Sequence, residues 1–185
     1  MSEKIEFLRM FSLYEPAASA RSLLENATIV SADIDPEQRR ISAMLFCDHY
    51  IPQRVLNEVS DGIIGAYHLR EVELVAKHPA SELSNIEPVE LMSMFVSNNS
   101  MTRGSLAGAR WSWEGNHLTV ELLGNGKAAL EECVPSVRTL LRERFDADVE
   151  ISFIAGHSLD GKALFDAMDQ MRSSIISKKR VFNPV

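Results

Sequence analysis

Cysteine is nearly missing from this chain: its 185 residues hold only Cys47 and Cys133. The two lie far apart and neither belongs to a C-x-x-C pair, which excludes a disulfide scaffold and a zinc ribbon and fits a reducing compartment. Long apolar runs are missing as well. No stretch approaches the roughly 18 uninterrupted apolar residues of a membrane-spanning helix, and the opening Met1-Ser2-Glu3-Lys4-Ile5-Glu6 mixes charges without an apolar core of the export type. The expectation is a cytoplasmic chain with no membrane partner.

Positive charge is in short supply. The formal net charge is -7; residues 1–79 carry 8 Lys/Arg against 12 Asp/Glu and residues 80–185 carry 11 against 14. Neither half has the basic excess that holds a phosphate backbone by charge alone. Catalytic signatures are also lacking. Gly124-Asn125-Gly126-Lys127 is followed by Ala128, whereas a phosphate loop places Ser or Thr after its lysine to bind magnesium. In Arg103-Gly104-Ser105-Leu106-Ala107-Gly108 the glycine directly precedes the serine, which is not the nucleophile elbow. Cys47-Asp48-His49 offers metal-ligating types, but neighbours on a strand point to opposite faces and no second cluster completes a site. The histidines at 49, 68, 78, 117 and 157 are scattered, with surface or loop roles expected for all. No cofactor, metal or small-molecule substrate is expected.

What is present is a composition of 45% hydrophobic and 24% charged residues, enough apolar surface to bury a core. Pro16 starts a short helix ending near Asn26. Thr28–Ile34 and Arg39–Cys47 flank the turn residues Asp35-Pro36-Glu37-Gln38 and predict a hairpin. Ile51-Pro52 opens a helix whose Val55, Leu56, Val59, Ile63 and Ala66 recur at three and four; the alternating Glu71–Lys77 then predicts a strand. The first unit therefore reads α-β-β-α-β over residues 1–79, and the little-patterned 78–87 is the junction.

The second unit, 86–156, opens with a helix at Pro88 that runs to Ser97-Asn98-Asn99-Ser100, and the glycine-containing segment after it, to Ala109, has no assigned conformation. Trp111 and Trp113, the turn Glu114-Gly115-Asn116, and Leu118, Val120 and Leu122 predict a second hairpin. A helical pattern runs from Lys127 to Phe145, but Pro135 stands in its middle, where it costs about 3 kcal/mol. Two consecutive helices are the expectation, the second starting at Pro135, before a strand over 148–153. That gives α-β-β-α-α-β. Residues 157–185 are expected to form a terminal helix or connector, through Leu164, Met168, Met171 and Ile175. The fold class is α+β, two small two-layer domains.

This succession resembles the N-terminal region of PolC-type bacterial DNA polymerase III alpha subunits. The resemblance is carried by the short first helix, the strand pair around Ile41-Ser42-Ala43-Met44-Leu45-Phe46, the Ile51-Pro52 helix start, the Val72-Glu73-Leu74-Val75 strand, the Trp111-Ser112-Trp113 hairpin and the helical Lys127 to Phe145. It implies a first unit similar to the polymerase-binding C-terminal domain of the clamp-loader tau subunit and a second similar to a type II KH domain. It further implies a non-catalytic region of DNA replication. The parent protein would be a DNA-directed DNA polymerase, a nucleotidyltransferase with 3'-5' exonuclease, and replisome proteins such as clamp-loader tau would be the partners.

The alternative is a KH-like module binding single-stranded nucleic acid. Trp111 and Trp113 share one strand face, where they either stack bases or bury in the sheet core. Lys127, Arg138 and Arg142, with Arg144, give one helix local positive charge, either a solvated face or a contact to nucleic acid or an acidic partner. Against that alternative, Glu132-Cys133-Val134-Pro135 stands where nucleic-acid-binding KH domains carry G-x-x-G, with Glu131 beside it.

Overall fold

The structure is a computed structural model, and it describes residues 5–156 together with Asp169. The terminal helix expected after Gly156 therefore lies outside the described residues. Among the described residues the chain is α+β with two small sheets, one of four strands and one of three.

The first sheet begins with β1 (Ile5–Glu6), followed by α1 (Phe7–Met10) and α2 (Ala18–Leu24). Next come β2 (Thr28–Asp35), β3 (Arg40–Phe46), α3 (Gln53–Tyr67) and β4 (Glu71–Lys77). Its strand order is β1-β2-β3-β4. β2 pairs antiparallel with β3, and β3 pairs parallel with β4 from Arg40↔Glu71 to Phe46↔Lys77. A parallel pair needs a crossover, and α3 supplies it. The expected α-β-β-α-β order is present as α2 to β4, preceded by β1 and α1, which are too short to leave a periodic trace in the sequence.

Alternation does the sorting in this sheet. Ile41, Ala43 and Leu45 of β3 and Val72, Leu74 and Ala76 of β4 are buried with Leu56, Val59 and Ile63 of α3, Leu24 of α2, and Phe7 and Phe11. Gly62 lies where an added methyl would collide with the Tyr14 ring, so the glycine that lowers intrinsic helix propensity lets that ring pack against α3. The opposite face of the sheet carries Arg40, Ser42, Met44 and Phe46 beside Glu71, Glu73, Val75 and Lys77, and no described helix covers it.

The second sheet is built from β5 (Arg110–Glu114), β6 (His117–Leu122) and β7 (Glu150–Ala155), in that order. A 3₁₀-helix over Ala80–Asn85, α4 (Pro88–Asn98) and α5 (Thr102–Leu106) precede it, and α6 (Lys127–Phe145) crosses from β6 to β7. β5–β6 is antiparallel and β6–β7 parallel. The topology thus repeats the β2-β3-α3-β4 arrangement.

One expectation is overturned here. Residues 127–145 form a single helix through Pro135, so the second unit runs α-α-β-β-α-β and not α-β-β-α-α-β. The type II KH order expected from the sequence is not formed. The reason is burial. Leu130, Cys133, Val137, Leu141 and Phe145 make one buried stripe on both sides of the proline, and each large apolar side chain removed from water contributes roughly 1.5–3 kcal/mol. Their sum exceeds the roughly 3 kcal/mol cost of an interior proline. Pro135 is exposed, and so is Glu131 one turn earlier, whose carbonyl loses its intrahelical donor on the solvent side.

Gly126 sets the start of this helix. It has φ +120°, and an added methyl there would collide with Ser105. The Gly124-Asn125-Gly126-Lys127 segment is a strand-to-helix turn.

Replacing Pro135 with Ala is expected to raise stability by about 1–3 kcal/mol, because the Glu131 carbonyl regains its partner. Urea titration of the two proteins measures this; an unchanged or lowered midpoint argues that the proline starts a separate helix.

Candidate functional site

The residues singled out for nucleic-acid contact do not converge. Trp111 pairs with Val120 and Trp113 with Leu118 across the β5–β6 ladder, which puts both rings on the helix-covered side of the sheet. Both are half-buried against the second core, and Trp111 lies 6.3 Å from Phe95, ring centre to ring centre. Lys127 is at the first turn of α6, with Nζ 3.6 Å from Glu131. Arg142 lies four turns further along, where its Nε donates to Asp148 at 2.7 Å, and Arg138 is exposed one turn before it. The tryptophans face inward and the cations point to solvent, so the geometry does not assemble a stacking platform with a charged rim.

The structure instead gathers polar groups at the junction of the two units. Tyr50, in the turn between β3 and α3, is buried within the core of the second unit. Its hydroxyl donates to Glu90 of α4 and accepts from the Glu87 backbone N–H at 3.3 Å. The Glu90 carboxylate also accepts from the guanidinium of Arg144, at the end of α6, and from the Gln53 backbone N–H at 3.3 Å, at the start of α3. Three helix ends from both units therefore meet on one buried carboxylate.

Around this centre, the Tyr50 N–H donates to Glu82 at 2.9 Å, and Arg54 reaches Glu87 at 3.2 Å. The His78 N–H donates to the Arg144 carbonyl at 2.7 Å. Burial raises the Tyr50 hydroxyl well above its ordinary range, and the hydrogen bond to Glu90 pushes it the same way. Tyr50 is a proton donor at every physiological pH.

His78 departs from the surface role expected of the histidines. It is 2% exposed, with its ring 5.5 Å from Tyr50 and 5.3 Å from Phe145, centre to centre. Its Nδ1 lies 3.2 Å from the Cys47 carbonyl, an acceptor, so Nδ1 carries the hydrogen. Nε2 is buried without a partner among the described residues. Desolvation lowers the His78 pKa and outweighs the hydrogen bond to the Cys47 carbonyl, which raises it; the nearby Arg144 charge lowers it further and Glu90 opposes. The ring is held neutral.

Cys47, the first of the three candidate ligands, is buried, and its thiol is pushed up to about 12 by desolvation and by Asp48. His49 faces out toward Glu82 at 3.7 Å. Among the described residues no group of three or more His, Cys, Asp or Glu could hold a metal ion, and no helix is long and apolar enough to cross a membrane.

Sequence reasoning missed Tyr50, His78 and Glu90, and it left Arg144 between a solvated face and an external acidic partner, without the internal acid it meets. A carboxylate inside the apolar run Val89–Val96 was the one available signal, since an acid there needs a partner.

Beside the junction, a groove of about 530 Å³ opens between the end of the first sheet and the end of α6. Thr28, Val30, Phe46 and Lys77 form one wall, and Arg142, Arg144 and Asp146 the other.

Two outcomes follow from the junction chemistry. Glu90→Ala leaves Arg144 charged and buried, and is expected to destabilise the chain by about 3–5 kcal/mol, with Tyr50→Phe costing about 1–2 kcal/mol; denaturant unfolding of the two variants checks the ranking. The second concerns pH. Because the folded His78 pKa lies below the ordinary 6.5, the unfolded chain binds the proton first as pH falls. The contribution of His78 is therefore complete above pH 6.5 and is lost progressively below it. Thermal unfolding scans through that window should show a fall in midpoint that is smaller in His78→Asn; equal slopes in both proteins remove His78 as the cause.

No family model, curated protein or solved structure matches the chain.

Proposed function

We propose that this chain is a protein-docking region without chemistry of its own, the N-terminal part of a PolC-type DNA polymerase III alpha subunit that makes contacts within the replisome. The observation that carries the docking role is the face of the first sheet that no described helix covers, where half-buried Met44 and Val75 accompany Phe46, a residue of the groove at the junction. Apolar residues on an open sheet face, rimmed by charge, are the ordinary form of a protein-binding surface. The replisome context comes from the sequence resemblance. The α2-β2-β3-α3-β4 order of the first unit is compatible with a tau-like domain.

The likeness of the second unit narrows to β-β-α-β, since α6 is one helix. A G-x-x-G clamp acts from a loop between two helices, and with Trp111 and Trp113 turned inward the nucleic-acid alternative has no observation in its favour.

Light scattering and calorimetry with clamp-loader, helicase-loading and single-strand-binding proteins test the proposal. Binding to at least one of them is expected, weakened about tenfold by Met44→Lys, which sets a charge on the apolar patch. A single-stranded oligonucleotide is expected to give no steeply salt-dependent binding signal with wild type, and none with an Arg138→Glu/Arg142→Glu double variant. If none of the three proteins binds, the replisome assignment falls.

A further inference from the structure

The cores of the two units are separate buried clusters, and among the described residues Tyr50 is the only one before position 80 that belongs to the second. The joint is otherwise largely polar, and main-chain donors of the first unit cross it. The Gln53 N–H reaches Glu90 at 3.3 Å, the Tyr50 N–H reaches Glu82 at 2.9 Å, and the His78 N–H reaches the Arg144 carbonyl at 2.7 Å. With one side chain crossing, the two cores can part without either sheet unpairing.

His78 completes the joint. Its ring forms a triangle with those of Tyr50 and Phe145, the centres 5.5, 5.3 and 6.4 Å apart. Nδ1 is engaged by the Cys47 carbonyl, and Nε2 is buried with no partner among the described residues. A proton added to the ring goes to Nε2 and makes an N–H that needs an acceptor. The surroundings offer none. Nε and Nη2 of Arg144 are themselves buried without acceptors, and the Glu90 carboxylate already takes the Tyr50 hydroxyl, the Gln53 N–H and Arg144. Burial keeps the Tyr50 hydroxyl and the Cys47 thiol neutral, and the His49 side chain turns outward to Glu82. Lys77, the preceding residue, only adds positive charge.

We propose that the junction is a proton-operated hinge, in which one proton on His78 parts the two units while each keeps its own sheet. The closed joint favours the neutral ring; the open one gives it to water, where it takes up a proton near the ordinary 6.5. Each pH unit below that value then multiplies the opening equilibrium by up to about tenfold. The joint is firm above pH 6.5 and loosens as pH falls. The groove beside the junction takes one wall from each unit, so it comes apart as the hinge opens, and a molecule seated against both walls is released in acid. The hinge does not depend on the docking role assigned above.

Amide hydrogen exchange of the whole chain, corrected for the intrinsic rate at each pH, reads the opening directly. The amides of Tyr50, Gln53 and His78 report on the joint, and those of β3 and β6, the strands with a neighbour on each side, report on the sheets. At pH 7.5 and pH 5.5 alike the three joint amides should share one protection factor, lower than that of the strand amides. It should fall by up to about tenfold between the two pH values in wild type and stay level in His78→Asn, whose amide takes up no proton. NMR titration of the wild-type His78 ring needs no variant, and its midpoint should lie below 6.5. Equal protection of joint and strands overturns the hinge, because the chain then opens as one body. So does joint protection that does not change with pH in wild type, a fall of the same size in His78→Asn, or a ring midpoint at or above 6.5.

Discussion

The Glu90 carboxylate is the point on which the arrangement of the two units depends. A charged carboxylate removed from water is costly unless each lone pair meets a donor. Here the donors are the Tyr50 hydroxyl and the Gln53 N–H from one unit and the Arg144 guanidinium from the other. None of these is replaceable by water in place, because Tyr50 and Glu90 are buried and the Arg144 side chain is 12% exposed. Satisfying the carboxylate therefore requires the start of α3, the start of α4 and the end of α6 to be together. Apolar packing alone would tolerate small slides between the units, whereas directional bonds to one acid fix their register.

The rest of the junction follows from that fixed point. With Tyr50 drawn into the second core, its ring and that of Phe145 enclose His78, and the His78 main chain bonds to Arg144 as the strand leaves β4. Burial and the nearby Arg144 charge favour the neutral ring, and among the described residues Nε2 has no acceptor for a second hydrogen. Glu82 and Glu87, in and after the 3₁₀-helix, hold the Tyr50 turn and the first turn of α3 from outside. The segment that reads as a linker, with Pro79, two serines and an asparagine, thus serves as a polar seam between the units.

What was legible in the sequence is what local physics decides. The two hairpins follow from turn residues flanked by alternation, and α3 and β4 follow from period and register, since each buries one face against a single neighbour. Pro135 shows the limit. Its local cost is visible in the sequence, but the continuous stripe from Leu130 to Phe145 that outweighs it depends on α4 and the sheet being present to bury it. Arg144 shows the same limit in electrostatics. Beside Arg138 and Arg142 it reads as one more solvated cation, and only the packing of α4 against α6 brings Glu90 to it. The same packing decides the tryptophans, which composition allowed on either face and the β5–β6 register turned inward.

Both units share the β-β-α-β core, yet they treat their first hairpin strand differently. β5 is five residues long, with Arg110 and Glu114 at its ends and its two tryptophans leaning on the second core. A short strand with charged ends and covered side chains is a protected edge. β2 is longer, and from Val30 to Ile34 its side chains lie in solvent. The groove next to its bulge is walled by Phe46 and Lys77 of the first unit and by Arg142, Arg144 and Asp146 of the second. Arg144 is also the cation on Glu90. A ligand seated against both walls binds only the docked arrangement of the units, and by linkage adds its binding free energy to the one carboxylate that holds them together.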